Sequence, residues 1–320
     1  MEIRRIKIGI SYTNTNYENY RQWFAANSEA EEVELVELSF TRNNLEDIHT
    51  CDGFVLTGGV DIHPFFYNGD TDYPNAPETF EIERDRFEKR IYDYSQQHRL
   101  PLLAICRGLQ LMNVLNGGKL IQDFGEANAT HKKEAEEDKL HHVHIASGSL
   151  LREISGEENY ETNSAHHQAV DPSFIGRNLM VNCQSEVDGL IEGLEWKDKT
   201  RKSFFLGVQW HPERIKDRET HPLSQKIKER FLQEVKMTHL NKLAVVNPAT
   251  EEVIVELNED NRESIEEKLR LLKAGQKAWQ AVPLEDRVQV LQQFAERLKA
   301  NTERLAAVLT SEVGKPLQQS

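Results

Sequence analysis

Apolar, β-rich runs alternate with helical stretches through roughly the first 240 residues of this 320-residue chain. This alternation is typical of an α/β fold, in which helices flank a mostly parallel sheet. The runs with the clearest strand character are IKIGISY, VELVELSF, GFVLTGG, LPLLAIC, LMVNCQ, GLIEGLEW and SFFLGVQW. Because sites in such sheets form at the carboxyl ends of strands, we expect functional residues where these runs stop.

One of the three cysteines lies at such a strand end, in the stretch LLAICRGLQLMNVLNGG. The apolar run ends at Ile105, and after Cys106 the period changes to that of a short helix with a glycine stop. Helix N–H groups favour the thiolate, which is the nucleophilic form of cysteine. The flanking Ala104 and Gly108 approximate the nucleophile elbow G-x-[SC]-x-G. The alternative is a buried structural cysteine, because free cysteines are among the most buried residues.

A second strand end supplies a base and a group to orient it. The run FFLGVQW is followed by His211, Pro212 and Glu213. Pro212 cannot continue a central strand, so the other two side chains are expected at the strand's end. Residues two apart in extended chain project the same way, so His211 and Glu213 are expected to hydrogen-bond. Such a pair is ordinarily an exposed polar terminus, but Cys106 on the same predicted sheet favours a catalytic interpretation.

Two further stretches bear on this site. Gly58 and Gly59 follow a strand, and their free backbone allows a ligand to approach closely. The backbone N–H groups of Gly59 and Arg107 are candidate donors for the oxyanion of a tetrahedral intermediate. An ordinary glycine turn is the alternative. The polar stretch NSAHHQAVD, residues 163–171, is equally compatible with a solvated loop.

Four histidines around the charged run KKEAEEDK raise the question of a metal site. They are His131, His141, His142 and His144. Their spacing matches no metal-binding pattern, so the sequence favours no metal ion. The run itself is expected to be a solvated surface loop.

Charge and cysteine content narrow the partners and the compartment. The net charge of −14 argues against nucleic acid or an anionic membrane as the main partner. No apolar run approaches the ~18 residues of a membrane span, and MEIRRIKIGI has no signal-peptide core. The three widely spaced cysteines form no disulfide framework. A cytoplasmic location is therefore expected.

The chain changes character near residue 240. All twelve histidines lie between His49 and His239, and the last 80 residues contain no cysteine. We therefore predict two domains, 1–239 and 240–320. The second has a short strand and three amphipathic helices, the last beginning beyond Asn301 as N-cap. The apolar stripes of these helices need a partner, so self-association or another contact through this segment is an open alternative.

The first domain resembles class I glutamine amidotransferase-like hydrolases, most closely the gamma-glutamyl-gamma-aminobutyrate hydrolase group. The resemblance covers about residues 5–237. It rests on GFVLTGGVDIHPFFY, AICRGLQLMNVLNGGKLIQD, NSAHHQAVD and GVQWHPE in family order, with ERDRFE, LHHVHIASGSLL and DGLIEGLE. It implies a flavodoxin-like sheet and a hydrolase that needs neither cofactor nor metal.

The resemblance also implies roles for single residues. Cys106 is the expected nucleophile, His211 the base and Glu213 its orienter. The amides of Gly59 and Arg107 are the expected oxyanion donors. The residues expected to line the pocket for the substrate's glutamyl part are Gln110, His166 and His167.

The function implied is hydrolysis of gamma-glutamyl amides, with gamma-glutamyl-gamma-aminobutyrate from polyamine degradation as the expected substrate. One alternative is a glutaminase subunit that supplies ammonia to a synthase partner. Turnover of gamma-glutamyl amides without a partner would distinguish the two. A second alternative is an inactive binding protein, against which the intact set of Cys106, His211 and Glu213 argues.

The last segment, about residues 243–320, resembles the opening of NAD-dependent aldehyde dehydrogenases, closest to the semialdehyde group. The similar stretches are NPAT-E-VI, AWQAVPLEDRVQVLQQFAERLKAN and LTSEVGKPLQQS. The catalytic and nucleotide-binding motifs of that family lie far downstream of this portion. We therefore expect an incomplete segment without dehydrogenase activity, left by truncation, frameshift or design.

Overall fold

The computed structural model describes residues 5–25, 33–134, 137–200, 202–240, 242–260 and 262–319. Its Cα positions group into two compact units, Met1–His239 and Leu240–Ser320. None of the described helices has the length and apolar character needed to cross a membrane.

A nine-stranded sheet flanked by helices forms the first unit. The strands of this unit are β1 (Ile6–Ser11), β2 (Val33–Leu38), β3 (Gly53–Leu56), β4 (Leu102–Ile105), β5 (Leu120–Ile121), β6 (Lys139–Ile145), β7 (Asn159–Ser164), β8 (Ala169–Val170), β9 (Leu179–Ser185), β10 (Ile191–Trp196) and β11 (Phe205–Val208). The helices are α1 (Tyr17–Ala25), α2 (Ile82–His98), α3 (Arg107–Leu115), α4 (Asn128–His131), α5 (Leu150–Ser155) and α6 (Pro222–Leu240). Strands β5 and β8 form a separate two-stranded sheet.

The order of strands in the main sheet is β2-β1-β3-β4-β11-β10-β9-β6-β7. From β2 to β11 the neighbours run parallel, and from β11 to β7 they run antiparallel. The predicted α/β class is confirmed, with the parallel strands in the half that carries the strand ends of interest. The antiparallel half is a feature that the sequence pattern did not predict.

Complete burial explains why three of the parallel strands appear in the sequence as continuous apolar runs. Every residue of β3, β4 and β11 is buried, as expected when helices cover both faces of a sheet. One apolar layer includes Trp23 and Phe24 of α1 and Phe231 of α6. The other includes Phe87 of α2 and Leu109 of α3.

The sequence did not predict β6 and β7 because both are rich in polar residues. In β6 the buried residues alternate, so that His141, Val143 and Ile145 face inward while His142 and His144 are exposed. Of the charged run before β6, residues 135 and 136 lie outside the described residues.

The second unit contains a hairpin and three helices in its described residues. They are β12 (Lys242–Val246), β13 (Val253–Asn258), α7 (Arg262–Gln280), α8 (Leu284–Ala300) and α9 (Thr302–Val313). These helices confirm the three amphipathic helices that the spacing of apolar residues predicted for this segment. Helix α9 begins directly after Asn301, which occupies the predicted N-cap position, but the Asn301 side chain makes no capping hydrogen bond to α9. Instead its Nδ2 donates to the carbonyl of Arg297 at the end of α8, 2.8 Å away.

Candidate active site

Cys106 forms a sharp turn between β4 and α3. Its backbone angles are φ 52° and ψ −106°. A positive φ in a residue with a Cβ costs about 1–3 kcal/mol and persists only where the surroundings hold it. Here the Cys106 N–H donates to the carbonyl of Val208 at 2.7 Å. The turn is therefore tied to β11, the strand that leads to His211.

Small residues on both sides of the cysteine make this turn sterically possible. A Cβ on Gly108 would lie 2.4 Å from the carbonyl oxygen of Leu56, which no real structure tolerates. Ala104 is fully buried in β4 and pairs with Leu56 on one side and Gly207 on the other. The elbow pattern in the sequence thus corresponds to a real steric requirement.

His211 and Glu213 lie side by side after β11. His211 Nδ1 is 2.8 Å from Glu213 Oε1, and both side chains are buried. A carboxylate only accepts, so Nδ1 carries hydrogen and Nε2 is the nitrogen available for proton transfer. Burial lowers the pKa of His211, but the Glu213 carboxylate, with a smaller contribution from Cys106, raises it to about 9. The imidazole is therefore held in its charged form at neutral pH.

Asn163, near the end of β7, fixes the backbone of His211. Its Oδ1 accepts from the His211 N–H at 3.1 Å, and its Nδ2 donates to the His211 carbonyl at 3.2 Å. Nδ2 also donates to Asp138 Oδ2 at 2.8 Å. An amide that pairs with both backbone groups of one residue restricts where that residue lies. The polar stretch 163–171 therefore supplies a positioning residue.

Gln209 links the cysteine to the pocket wall. Its Nε2 lies 3.4 Å from Cys106 Sγ and donates a hydrogen bond to the sulfur. Its Oε1 accepts from Gln110 Nε2 at 3.2 Å, and the same Nε2 donates to the carbonyl of Gln168 at 2.9 Å. This bond fixes the position of the sulfur beside the cavity. Both amides are buried, so this chain of bonds is fixed.

Arg84 orients the peptide between Gly58 and Gly59. Its Nη2 donates to the Gly58 carbonyl at 2.8 Å and to Thr57 Oγ1 at 3.0 Å. Because the peptide is planar and trans, a carbonyl held on one side directs the Gly59 N–H to the other. Gly59 has φ 138°, and a Cβ there would lie 2.3 Å from Arg84 Nη1. Position 59 therefore needs a residue that adopts a positive φ easily and has no side chain, and glycine meets both requirements.

A buried ionic cluster joins α2 to the first residue of α3. The Arg107 guanidinium pairs with Asp85 and Glu88, and Arg84 Nε lies 3.0 Å from Glu88 Oε1. Burial favours the neutral form of Glu88, but Arg107 and Arg84 hold the pKa of its carboxyl below the usual range. Glu81, whose Oε2 lies 3.5 Å from Arg84 Nη1, adds a third carboxylate at the edge of the cluster. Each buried charge thus has a partner of opposite sign, which is the condition for burying it.

A cavity of about 240 Å³ opens beside the thiol. The residues that line it are Thr15, Asn16, Tyr20, Gly58, Gly59, Val60, Cys106, Lys133, Ala165, His211 and Arg214. The structure therefore brings Cys106, His211 and Gly59 to one cavity. This volume is somewhat below the range of about 300–1,000 Å³ that is typical of ligand sites.

The remaining predicted residues lie around this cavity rather than on its surface. Gln110 is buried behind Gln209. His167 lies between two carboxylates, with Nε2 3.2 Å from Asp61 Oδ2 and Nδ1 3.3 Å from Asp123 Oδ2. His166 is buried, and its Nε2 lies 3.5 Å from Glu192 Oε1.

Sequence reasoning missed Gln209, Asn163 and Arg84. Gln209 had a detectable signal, because it stands two residues before His211 in an extended segment and so projects to the same side. Asn163 and Arg84 act across long sequence separations, on His211 and Gly58 respectively. No local pattern reports such contacts.

Comparison with protein families identifies two separate matches. The model of the peptidase C26 family matches residues 29–213, which is more than half of the chain. The model of the aldehyde dehydrogenase family matches residues 235–320, a C-terminal piece. The two matches correspond to the two resemblances found in the sequence.

Individual relatives agree with the first match. PB2B2.05 of Schizosaccharomyces pombe, provisionally named a glutamine amidotransferase, is 37% identical over 174 residues, which is 54% of this chain and 66% of that protein. PuuD of Escherichia coli K12, a gamma-glutamyl-gamma-aminobutyrate hydrolase, is 33% identical over 172 residues, 51% of this chain and 64% of PuuD. The alignments thus span about two thirds of these relatives.

A solved structure supports the fold alone. The glutaminase domain of Trypanosoma brucei CTPS with bound acivicin superposes with a TM-score of 0.51 at 14% identity, covering 72% of this chain and 94% of that domain.

Proposed function

The chain belongs to the peptidase C26 family of glutamine amidotransferase-like hydrolases, and we propose that it hydrolyses gamma-glutamyl amides through a thioester on Cys106. The observation that carries the proposal is one constellation. A strained cysteine, a histidine paired with a buried glutamate, and an oriented glycine amide border the same small cavity. These are the parts that acyl transfer by a thiol requires.

In the first half-reaction the Cys106 thiolate attacks the gamma-carbonyl carbon and forms a C–S bond. The carbonyl electrons move to oxygen, where the N–H groups of Gly59 and Arg107 bind the oxyanion. The intermediate collapses as the C–N bond breaks, and the His211 imidazolium gives its proton to the departing amine. The pairing with Glu213 favours the imidazolium before the proton is transferred.

In the second half-reaction neutral His211 takes a proton from water, and the resulting hydroxide attacks the glutamyl thioester. The C–S bond breaks, glutamate leaves, and the thiolate–imidazolium pair is restored. Gln209 stabilises the thiolate in both halves through its bond to Sγ. The scheme uses no cofactor.

Basic side chains beside the cavity support an acidic leaving group. Lys133 and Arg214 line the cavity of a chain whose net charge is −14, and Arg214 Nε also pairs with Asp138 Oδ2 at 2.8 Å. A carboxylate on the amine side would find these charges, which favours gamma-glutamyl-gamma-aminobutyrate, the substrate named in PuuD, over unsubstituted amines. We place Gln110, His166 and His167 on the glutamyl side, and we propose a cytoplasmic role in polyamine breakdown.

The proposal is tested by comparing linkage isomers of one substrate. A site built on hydrogen bonds to the glutamyl group rejects analogues that leave its partners unpaired, often by ~10⁴-fold. We therefore expect kcat/KM for gamma-glutamyl-gamma-aminobutyrate to exceed that for the alpha-linked isomer by a factor of that order. Cys106→Ser should lower kcat by several orders of magnitude, while Cys51→Ser serves as a control far from the cavity.

Two outcomes would contradict the proposal in different ways. Equal rates for the two isomers would refute the glutamyl pocket even if Cys106 is the nucleophile. Release of ammonia from glutamine, with no turnover of substituted amides, would instead favour a glutaminase that feeds a synthase.

A further inference from the structure

A second cluster of ionisable side chains is buried in the antiparallel half of the sheet. His131 ends α4, His141 lies on β6, Glu192 lies on β10 and His166 follows β7. Each of the four is at most 5% exposed. Glu192 Oε1 lies 3.6 Å from His131 Nδ1, 3.6 Å from His141 Nε2 and 3.5 Å from His166 Nε2. Three ring nitrogens thus surround one carboxylate oxygen, each farther away than in an ordinary hydrogen bond.

The opposite nitrogens of two rings determine where their hydrogens are. His166 Nδ1 lies 3.0 Å from the carbonyl of Gln168, and His141 Nδ1 lies 3.3 Å from the carbonyl of His142. A backbone carbonyl only accepts, so each Nδ1 carries the hydrogen. Both Nε2 atoms therefore present a lone pair toward Glu192. Neither of them, nor either oxygen of Glu192, forms a hydrogen bond with any part of the chain that the structure describes.

His131 is arranged like the ligands of many metal sites. Its Nε2 lies 2.9 Å from Asp188 Oδ2, which leaves Nδ1 facing Glu192 and, at 3.1 Å, the hydroxyl of Ser164. A carboxylate on the far nitrogen is the usual outer partner of a metal-bound histidine, since it fixes the tautomer and the ring orientation.

Lone pairs that converge in a buried space repel one another unless a cation lies among them. A bound cation would relieve both this repulsion and the unpaired carboxylate.

We propose that His131 Nδ1, His141 Nε2, His166 Nε2 and Glu192 Oε1 bind one divalent ion of the zinc type. Three imidazoles and one carboxylate form a donor set that zinc favours, at about 2.0–2.1 Å in tetrahedral geometry. That geometry separates neighbouring ligand atoms by about 3.3 Å. The distances of 3.5–3.6 Å from Glu192 Oε1 are close to this value, and the ligand atoms of His131, His166 and Glu192 lie within 4.8 Å of one another. His141 lies outside that set, so its ring must move toward the other two imidazoles to complete the tetrahedron.

The ion would be structural rather than catalytic, because four protein ligands leave no open position. It would join α4, β6, β10 and the segment after β7. Asn163, which holds the backbone of His211, lies near the end of β7, just before that segment. The site uses none of the reacting groups, but a metal-bound His166 would not be free to contact the glutamyl part of the substrate.

Cobalt substitution and metal analysis test the site on the whole chain. After incubation with Zn²⁺ and removal of free ion, we expect one zinc per chain and a higher midpoint of thermal unfolding. Co²⁺ should bind with the intense visible absorption of four-coordinate cobalt. His166→Gln should abolish that absorption, and Asp188→Asn should weaken cobalt binding about 10–100-fold. His142→Gln, at an exposed histidine of β6 next to the proposed ligand His141, is the matched control and should bind normally.

Substoichiometric metal with no four-coordinate cobalt spectrum in the unmodified chain would overturn the proposal. So would equal losses in His142→Gln and His166→Gln, which would indicate adventitious surface binding. If His166→Gln does not fold, Asp188→Asn decides, because its side chain is 22% exposed and tolerates the change. Unchanged cobalt affinity in that variant would then refute the site.

Discussion

At the scale of single residues, His211 controls how the site responds to pH. Burial lowers its pKa, but Glu213 outweighs burial and raises the pKa to about 9. A raised histidine pKa contributes stability that is complete below the unfolded value of about 6.5 and is lost as pH rises through the folded value. The same deprotonation removes the proton that the departing amine needs.

We therefore expect kcat/KM to fall on the alkaline side with an apparent pKa near 9, the value of His211. Glu213→Gln keeps a hydrogen-bonding side chain but removes the charge, so the alkaline limb should move to lower pH. Rates measured from about pH 6 to about pH 10 test this. Glu219→Gln, an exposed neighbour, is the control. An alkaline limb that stays in place in Glu213→Gln would show that another group is titrating.

The residues that sequence could identify are those with a local signature. Cys106 lies where the spacing of apolar residues changes from that of a strand to that of a helix, and its neighbours are small. His211 and Glu213 follow a predicted strand that a proline ends. The sequence grouped His131 and His141 with His142 and His144. In the structure His142 and His144 are exposed, while His166, in the segment after β7, and Glu192, on β10, lie beside His131. Ligand spacing along the chain cannot reveal a set that the fold assembles from four elements.

At the scale of elements, the end of β3 is fitted closely around the site. A Cβ on Gly58 would lie 2.8 Å from His211 Cε1 and 3.6 Å from Cys106 Cβ. Gly58→Ala should therefore displace the imidazole and lower kcat by about 10²-fold, the cost typical of a misplacement of about 1 Å. Gly275→Ala, with open space around it, controls for the substitution itself.

The Gly58→Ala effect should appear in steady-state rates, while circular dichroism and the unfolding midpoint change little. Unaltered kcat would mean that the imidazole has more room than the contacts indicate. A global loss of structure would instead show that the strand end supports the fold rather than the reaction.

Elements were predictable where burial leaves a pattern in the sequence. The fully buried strands β3, β4 and β11 read as apolar runs. β7, NYETNS, has almost no apolar residue, because its inner side packs polar groups of the site and the histidine cluster. A strand whose inner face is polar carries no period-two signal.

At the scale of the whole molecule, every proposed site residue belongs to the unit Met1–His239. The second unit exposes large apolar side chains, among them Leu272 at 69% and Leu284 at 66%. Such surfaces often mark contacts with other chains. The expected homo-oligomerisation through this segment stays a prediction.

We expect limited trypsin digestion to cut near residue 240 and to leave an active fragment that contains residues 29–213, the part matched by the peptidase C26 family. Mass spectrometry identifies the boundary, and kcat of the fragment should match that of the intact chain. If the second unit mediates self-association, sedimentation should show oligomers of the intact chain and a monomeric fragment. Loss of activity on cleavage, or a single unfolding transition shared by both units, would contradict this expectation.

The pairing of β4 with β11 also determines at which stage of folding the Cys106 thiol becomes a reactive nucleophile. Leu102 pairs with Phe205 and Ile105 with Val208, so residues far apart along the chain must meet before the turn at Cys106 is fixed. Such non-local pairings form late in folding. During synthesis, Cys106 leaves the ribosome long before His211 and Glu213 exist to activate it. A nascent or misfolded copy therefore carries only an ordinary thiol, and alkylation of Cys106 during refolding would time the closing of the sheet.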